Sequence, residues 1–435
     1  MVCVSARRRA RPKRSTPACR TSAFAALAIK SGRRGFIRAF GPGLVSGASA
    51  NDPTTVGSIA VVGATTGYAL AWLVVLLLPM LAVIQAIAAS VAAVSQMSLQ
   101  QAILQKYGRG VAIAAAIAVV VISLFTLSAD VQAGAQALAL LSGVPRYYFV
   151  VPLVGVAGWL LATKSYLKIE RLLASFTLIF LCYIASAILA RPNWNAVLHA
   201  IFWPRFAFTP LFLTGAIALL GTTLTSYVYF WESIEVAERR PPLSQLRAVN
   251  ADAVLGMLVA GSSFLFILIA TAATLGKHHV AIATAADAAG ALTPLAGRWD
   301  EVLFGVGLFA SAAIAIPVIT ATNGYVIAQT LGRPAGLASL PRDARFFYGA
   351  IYGSLALAAM LALLPIPTIA FLFWASVAAG IVTPVTLALA VLVARDRTTM
   401  RGRPIGAPLA CAGWVVTAIV AAASGGFLIA AARLL

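Results

Sequence analysis

Apolar residues in this chain come in long, nearly uncharged blocks, and the polar positions are confined to short seams between them. A helix needs roughly 20 mostly apolar residues to cross the hydrocarbon of a bilayer. Eleven blocks reach or approach that length, at 39–66, 69–95, 111–142, 147–163, 167–190, 206–236, 250–275, 301–329, 346–364, 368–394 and 406–432. Lipid offers no partner to a bare backbone amide, so such blocks fold as helices, and the pattern predicts an all-α membrane protein. The block from Arg146 to Lys164 is short, and the third and sixth are long.

Two blocks are interrupted by residues that do not suit a helix in lipid. The first contains Gly41, Pro42, Gly43 and Gly47, then Asn51-Asp52-Pro53-Thr54-Thr55; the sixth contains Gly221-Thr222-Thr223-Leu224-Thr225-Ser226. Pro53 removes a backbone donor and blocks the carbonyl four residues earlier. Non-helical backbone at membrane depth is tolerated only inside protein or beside a water-filled cavity. Each break falls in the first block of a set of five. Paired broken helices at corresponding positions point to a transporter built of inverted repeats. The expected divisions are a basic, disordered tail at 1–35, one repeat at 36–192, a second at 200–396, and an added helix at 404–435.

Composition agrees with a lipid setting. Of the residues, 61% are hydrophobic and 10% charged, against roughly 25% charged in a soluble domain. The net charge is +20, and its placement sets the orientation. With a cytoplasmic N-terminus, 26 of the 32 basic residues fall in the tail and the cytoplasmic loops, as the positive-inside rule requires. These bases sit between spans, without the aromatic platforms of a nucleic-acid surface. Cys3, Cys19, Cys182 and Cys411 have no ligand-like spacing and suggest no disulfide framework. No metalloprotease, serine-hydrolase or phosphate-loop motif is present, so an enzyme is not expected.

The chemistry concentrates in the few acids. Asp52, Asp130, Glu232 and Asp252 fall within the predicted spans. A carboxylate in the membrane costs at least about 2.5 kcal/mol and needs a partner, yet no Lys or Arg lies deep in any span. A bound cation is the economical partner. Asp52 at the first break, beside unwound carbonyls and hydroxyls, makes an all-oxygen site suited to a hard cation. Asp52 followed by Pro53 is equally a helix N-cap, and the two roles are compatible. Asp130 reads as an outer ligand, a proton carrier, or an acid paired to a neighbouring helix. Glu232 lines a cytoplasmic exit or is a vestibule charge. Asp252 reads as an N-cap. Thr222, Thr225 and Tyr227 bind a hydrated ion or satisfy broken backbone, and Asn51 stands on the same pathway.

The stretch from Phe40 to Pro53, Phe-Gly-Pro-Gly-Leu-Val-Ser-Gly-Ala-Ser-Ala-Asn-Asp-Pro, resembles the opening span of the NRAMP metal-ion transporters, closest to their NRAMP-related magnesium transporter branch. Gly221-Thr-Thr-Leu-Thr-Ser-Tyr-Val-Tyr-Phe-Trp231 is similar to that branch in span six, and Ala129-Asp130, Gly380 and Pro384 fit as well. The resemblance implies a LeuT-like fold with about eleven transmembrane helices, two inverted five-helix repeats and broken helices 1 and 6. It places metal ligands at Asp52, Thr55, Thr222 and Thr225, with Asp130 at a family acidic position.

Departures from the family pattern shape the expected cargo. Thr55 stands where an asparagine ligand is usual, and Thr225 where a methionine sulfur favours transition metals. Hydroxyl and carboxylate oxygens favour harder ions. Glu232 takes the place of a histidine, Ala133 that of an acid in span three, and the arginine pair of span nine has no counterpart. The expected function is secondary transport of a divalent cation, Mg2+ before Mn2+, with no cofactor beyond the cargo itself. The alternatives are a proton-coupled Mn2+/Fe2+ importer, a LeuT-fold amine or amino-acid carrier, and a non-transporting sensor. The expected location is a bacterial inner (plasma) membrane, with the lipid bilayer as partner, no nucleic acid, and monomer or homodimer left open.

Overall fold

The computed structural model describes residues 50–163, 181–204, 206–207, 209–278, 282 and 284–432. The basic tail, the first half of the opening span with its glycines, and residues 167–180 of the fifth span lie outside the described residues.

The first five helices are α1 (Pro53–Thr66), α2 (Ala71–Ser95), α3 (Leu99–Ser142), α4 (Tyr147–Ala162) and α5 (Leu181–Leu189). A short helix, α6 (Trp194–Phe202), leads to α7 (Pro210–Thr223) and α8 (Ser226–Arg239). Then follow α9 (Leu246–Thr274), the short α10 (Ala285–Ala289) and α11 (Thr293–Ala296), and α12 (Asp300–Thr330). The chain ends with α13 (Arg345–Ala362), α14 (Thr368–Ala394) and α15 (Ala407–Ala432). Eight described helical stretches are long and apolar enough to cross a membrane, counting α7 with α8 as one. The chain is an integral, multi-pass membrane protein.

Several boundaries differ from those expected. The third helix begins at Leu99 rather than 111, because Ser98 and Gln101 form a reciprocal capping box. It bends at Gly108, whose φ of 76° a side chain would resist. Gln100 spans the bend, donating to the Ala112 carbonyl at 2.8 Å and to Thr330 on α12 at 2.7 Å. The seventh predicted span begins at Leu246 as α9, which puts Asp252 inside that helix and not at its cap. The connector before α12 carries α10 and α11 in place of a plain short loop.

The break in span six is narrower than the sequence suggests. Gly221, Thr222 and Thr223 remain helical, and only Leu224 and Thr225 leave the helix, Thr225 with extended backbone (φ −60°, ψ 140°). Gly221 serves packing here. A Cβ at that position would sit 2.0 Å from the Ser376 carbonyl oxygen and 2.3 Å from the Gly380 nitrogen. The backbones of α7 and α14 therefore touch at the level of the break.

Proline inside a helix frees a carbonyl that lipid cannot satisfy. Pro384 in α14 leaves the Gly380 carbonyl without its usual donor. Ser424 of α15 supplies one at 2.9 Å, so the eleventh helix repairs the tenth. At the opposite end of α3, Arg146 donates to Thr368 at 2.8 Å and to the Leu364 and Ile366 carbonyls at 3.1 and 3.2 Å. Gln132 grips the same turn through the Ile366 carbonyl at 2.6 Å.

Gly221→Ala is expected to destabilise the protein by about 1–3 kcal/mol through overpacking. Gly353→Ala, inside α13 where a Cβ meets nothing within 4 Å, should instead stabilise by about 0.4–1 kcal/mol. Thermal unfolding of the two variants beside wild type measures both.

Candidate cation site at the paired helix breaks

The site grows from the polar residues that close the two breaks. Asp52 takes extended backbone (φ −68°, ψ 163°) and caps α1, its Oδ1 accepting from the Thr55 amide at 2.6 Å. Pro53 follows at the first helical position, where its missing N–H costs nothing. The capping role is therefore real, and it uses one carboxylate oxygen. The other, Oδ2, accepts from the Tyr227 hydroxyl at 2.7 Å. Tyr227 lies in the first turn of α8, so this bond joins the start of α1 to the start of α8.

Asp130 holds the same turn from α3. Its Oδ1 accepts from the Thr54 hydroxyl at 2.6 Å and from the Thr54 amide at 3.1 Å. Its Oδ2 is buried and has no hydrogen-bond partner among the described residues. Asp52 and Asp130 are 1% and 0% exposed. Among the described residues the ion pairs are Lys106–Asp396 and Arg239–Glu235. Among the described residues neither buried carboxylate faces a Lys or Arg, and Asp130 is paired to the neighbouring helix α1 through Thr54.

The threonines divide into two roles. Thr55 and Thr222 share a hydrogen bond between hydroxyls at 3.0 Å, which fastens α1 to α7. Thr225 is buried in the break, and its hydroxyl has no partner among the described residues. The backbone bond from Leu224 to Leu220, at 2.9 Å, closes α7. Beyond it the carbonyls of Gly221, Thr222 and Thr223 form the negative end of the helix dipole. Two carboxylates, hydroxyls and helix-end carbonyls thus meet where the chain is unwound, a set of oxygen donors only.

Asn51 is an anchor within this frame. Its amide donates to the Ala260 carbonyl at 3.4 Å, its Oδ1 accepts from Ser263 at 3.0 Å, and its carbonyl accepts from Ser311. Asn51 thereby ties the first break to α9 and α12. Glu232, two turns beyond the second break, is buried within α8. His278 lies in the connector after α9. No cluster of three or more His, Cys, Asp or Glu occurs among the described residues.

Thr54, Ser263 and Ser311 were not singled out from sequence. Each bonds a partner at least 76 residues away, and neither a threonine inside a polar break nor a serine in an apolar helix carries a local sign of which distant group it meets.

The family profile described as "Nramp: Natural resistance-associated macrophage protein-like" matches residues 43–430. The chain belongs to the Nramp family. Among its relatives, the "Divalent metal cation transporter MntH" of Mycobacterium tuberculosis is 30% identical over 304 residues, covering 67% of this chain and 70% of that protein. The protein of the same name from Deinococcus radiodurans is 28% identical over 325 residues, covering 71% and 74%. These relatives are named as transporters, which move an ion and make no covalent change. A crystal structure of the Eremococcus coleocola manganese transporter, in complex with an aromatic bis-isothiourea substituted compound, matches with a TM-score of 0.70 at 20% identity, covering 91% of this chain and 87% of that one. Mhp1, a nucleobase-cation-symport-1 family transporter, matches at 0.55 with 15% identity, covering 90% of each chain. Both share the fold of this chain, the LeuT-like one that the family resemblance implies.

The capping by Asp52 and the cation contact expected of it separate by substitution. Asn caps a helix about as well as Asp, whereas Ala costs about 1 kcal/mol. Asp52→Asn should unfold near the wild-type midpoint and Asp52→Ala below it, while both lose divalent-cation binding, as thermal unfolding with and without added metal would show.

Proposed function

We propose that this Nramp-family protein is a secondary transporter carrying a divalent cation, Mg2+ before Mn2+, across a bacterial inner membrane by alternating access. The observation that carries the reading is the pair Asp52 and Asp130, buried at a helix break with no Lys or Arg against either among the described residues. A buried charge without a counter-charge costs several kcal/mol, and a visiting cation removes that cost.

The donor chemistry supports a hard ion. Thr225 offers a buried hydroxyl with no protein partner among the described residues, and no sulfur ligand stands in the break. Two carboxylates are too few to enclose a divalent ion alone. Mg2+ gives up water reluctantly and keeps several waters when bound by one or two carboxylates, so the site suits a partly hydrated ion. Asp52, Thr55, Thr222 and Thr225 form its inner boundary, with Asp130 behind them. Tyr227 holds the Asp52 carboxylate when no ion is present, and Glu232 marks the way towards the cytoplasm. Rocking of repeat 36–192 against repeat 200–396 would expose the site to each side in turn.

Proteoliposomes of wild type and Asp52→Ala test the assignment. Mg2+ and Mn2+ uptake should fall to background in the variant, and undiminished uptake refutes the site. Thr225→Met should raise Mn2+ and Cd2+ uptake relative to Mg2+, since a thioether prefers softer ions; an unchanged ratio removes Thr225 from the selectivity argument.

One observation favours a second reading, the proton-coupled Mn2+/Fe2+ importer. Asp130 Oδ2, with no partner among the described residues, is placed to hold a proton beside the cation site. An internal pH dye decides between them. Acidification that tracks metal entry and is lost in Asp130→Asn supports coupling, and metal entry without it supports an uncoupled carrier.

A further inference from the structure

The turn joining α12 to α13 folds into a basic cavity that the cation site does not use. Arg333, Pro334, Arg342, Asp343, Ala344, Arg345 and Phe346 line a volume of about 160 Å3. Its guanidiniums come from three places in the chain: the exit of α12, the connecting turn, and the first residue of α13. Phe346 brings two of them together, with Arg333 4.9 Å and Arg345 5.3 Å from its ring centroid.

These charges are only partly compensated. No ion pair among the described residues reaches this cavity, and Asp343 is the one acid in its lining. Three positive groups beside one negative repel unless an anion joins them. The cavity also lies at the start of the 18-residue α13, whose N-cap Ala344 contributes no side-chain bond. The first backbone N–H groups of that helix add a positive dipole end to the same place.

The surroundings indicate the form of the anion. Phe346 in the cavity lining is 40% exposed, and Leu331 and Leu340, each two residues before an arginine of the site, are 54% and 58% exposed. Apolar groups beside a basic pocket at a membrane face match a lipid, whose phosphate takes the guanidinium fork while its chains cover the hydrocarbon. The charge distribution assigns this end of the bundle to the cytoplasm, where anionic lipid headgroups meet the protein. We propose that Arg333, Arg342 and Arg345 form a phosphate-binding site for the headgroup of an anionic phospholipid. It is independent of which ion crosses the membrane.

Native mass spectrometry of the full chain in detergent, titrated with phosphatidylglycerol, cardiolipin or phosphatidylcholine, tests this. Wild type should retain the anionic lipids over phosphatidylcholine, and the triple variant R333Q/R342Q/R345Q should bind them at least about tenfold more weakly. A control triple, R395Q/R397Q/R403Q, removes equal charge from another loop on the same face and should bind like wild type. Matching thermal midpoints for the two variants exclude misfolding as the cause. Inorganic phosphate separates the sources: saturable phosphate binding without lipid retention keeps the site and assigns it a free anion. Equal loss in both triples reduces the effect to diffuse surface charge and overturns the site, as does equal retention of anionic and zwitterionic lipid by wild type.

Discussion

The fold turns on one constraint: a backbone that leaves the helix inside a bilayer must find all its hydrogen bonds within the protein. Here the described backbone is non-helical at 50–52, ahead of α1, and again at Leu224–Thr225. The groups that close the first break come from four other helices. Asp130 of α3 holds Thr54, Thr222 of α7 holds Thr55, Ser263 of α9 and Ser311 of α12 hold Asn51. Tyr227 then links Asp52 to α8. The assembly of the bundle and the formation of the site are thus one event, since each helix that packs also delivers a donor or acceptor to the break.

The same network leaves a remainder. Oδ1 of Asp130 is doubly bonded, while Oδ2 and the Thr225 hydroxyl are buried with no partner among the described residues. An unmet polar group in a protein interior costs about 1–3 kcal/mol, more when charged. At Asp130 and Thr225 the ligand proposed above, a cation that visits and departs, would meet these groups. Oxygen donors without sulfur, and two carboxylates without a basic partner, define what that ligand can be: positively charged, hard, and partly hydrated.

Much of this was legible in the chain. Block length marked the apolar stretches that the described spans occupy, and Asp52-Pro53 marked the N-cap of α1, while the charge asymmetry supplies an expected orientation. Asp130 stood out because an acid in an apolar block demands a reason. What escaped was long-range or backbone-made. The extent of the second break was overdrawn because Gly221 reads locally as a helix breaker, whereas it is a contact point at which α7 meets the α14 backbone. Asn51 reads as a pathway residue by its neighbourhood, yet its bonds to α9 and α12 make it an anchor. The bend at Gly108 lay hidden because the capping box that starts α3 precedes a polar seam resembling a loop.

The most direct measurement is where a cation sits. Crystals of the purified protein soaked in Mn2+, with anomalous diffraction used to locate the metal, should show a peak between the two breaks. It should lie within direct coordination distance, about 2.0–2.6 Å, of an Asp52 carboxylate oxygen or of oxygens at Thr222–Thr225. A fully occupied peak elsewhere, with the Asp52–Tyr227 bond intact and the breaks empty, would contradict a cation site built on the unwound helices.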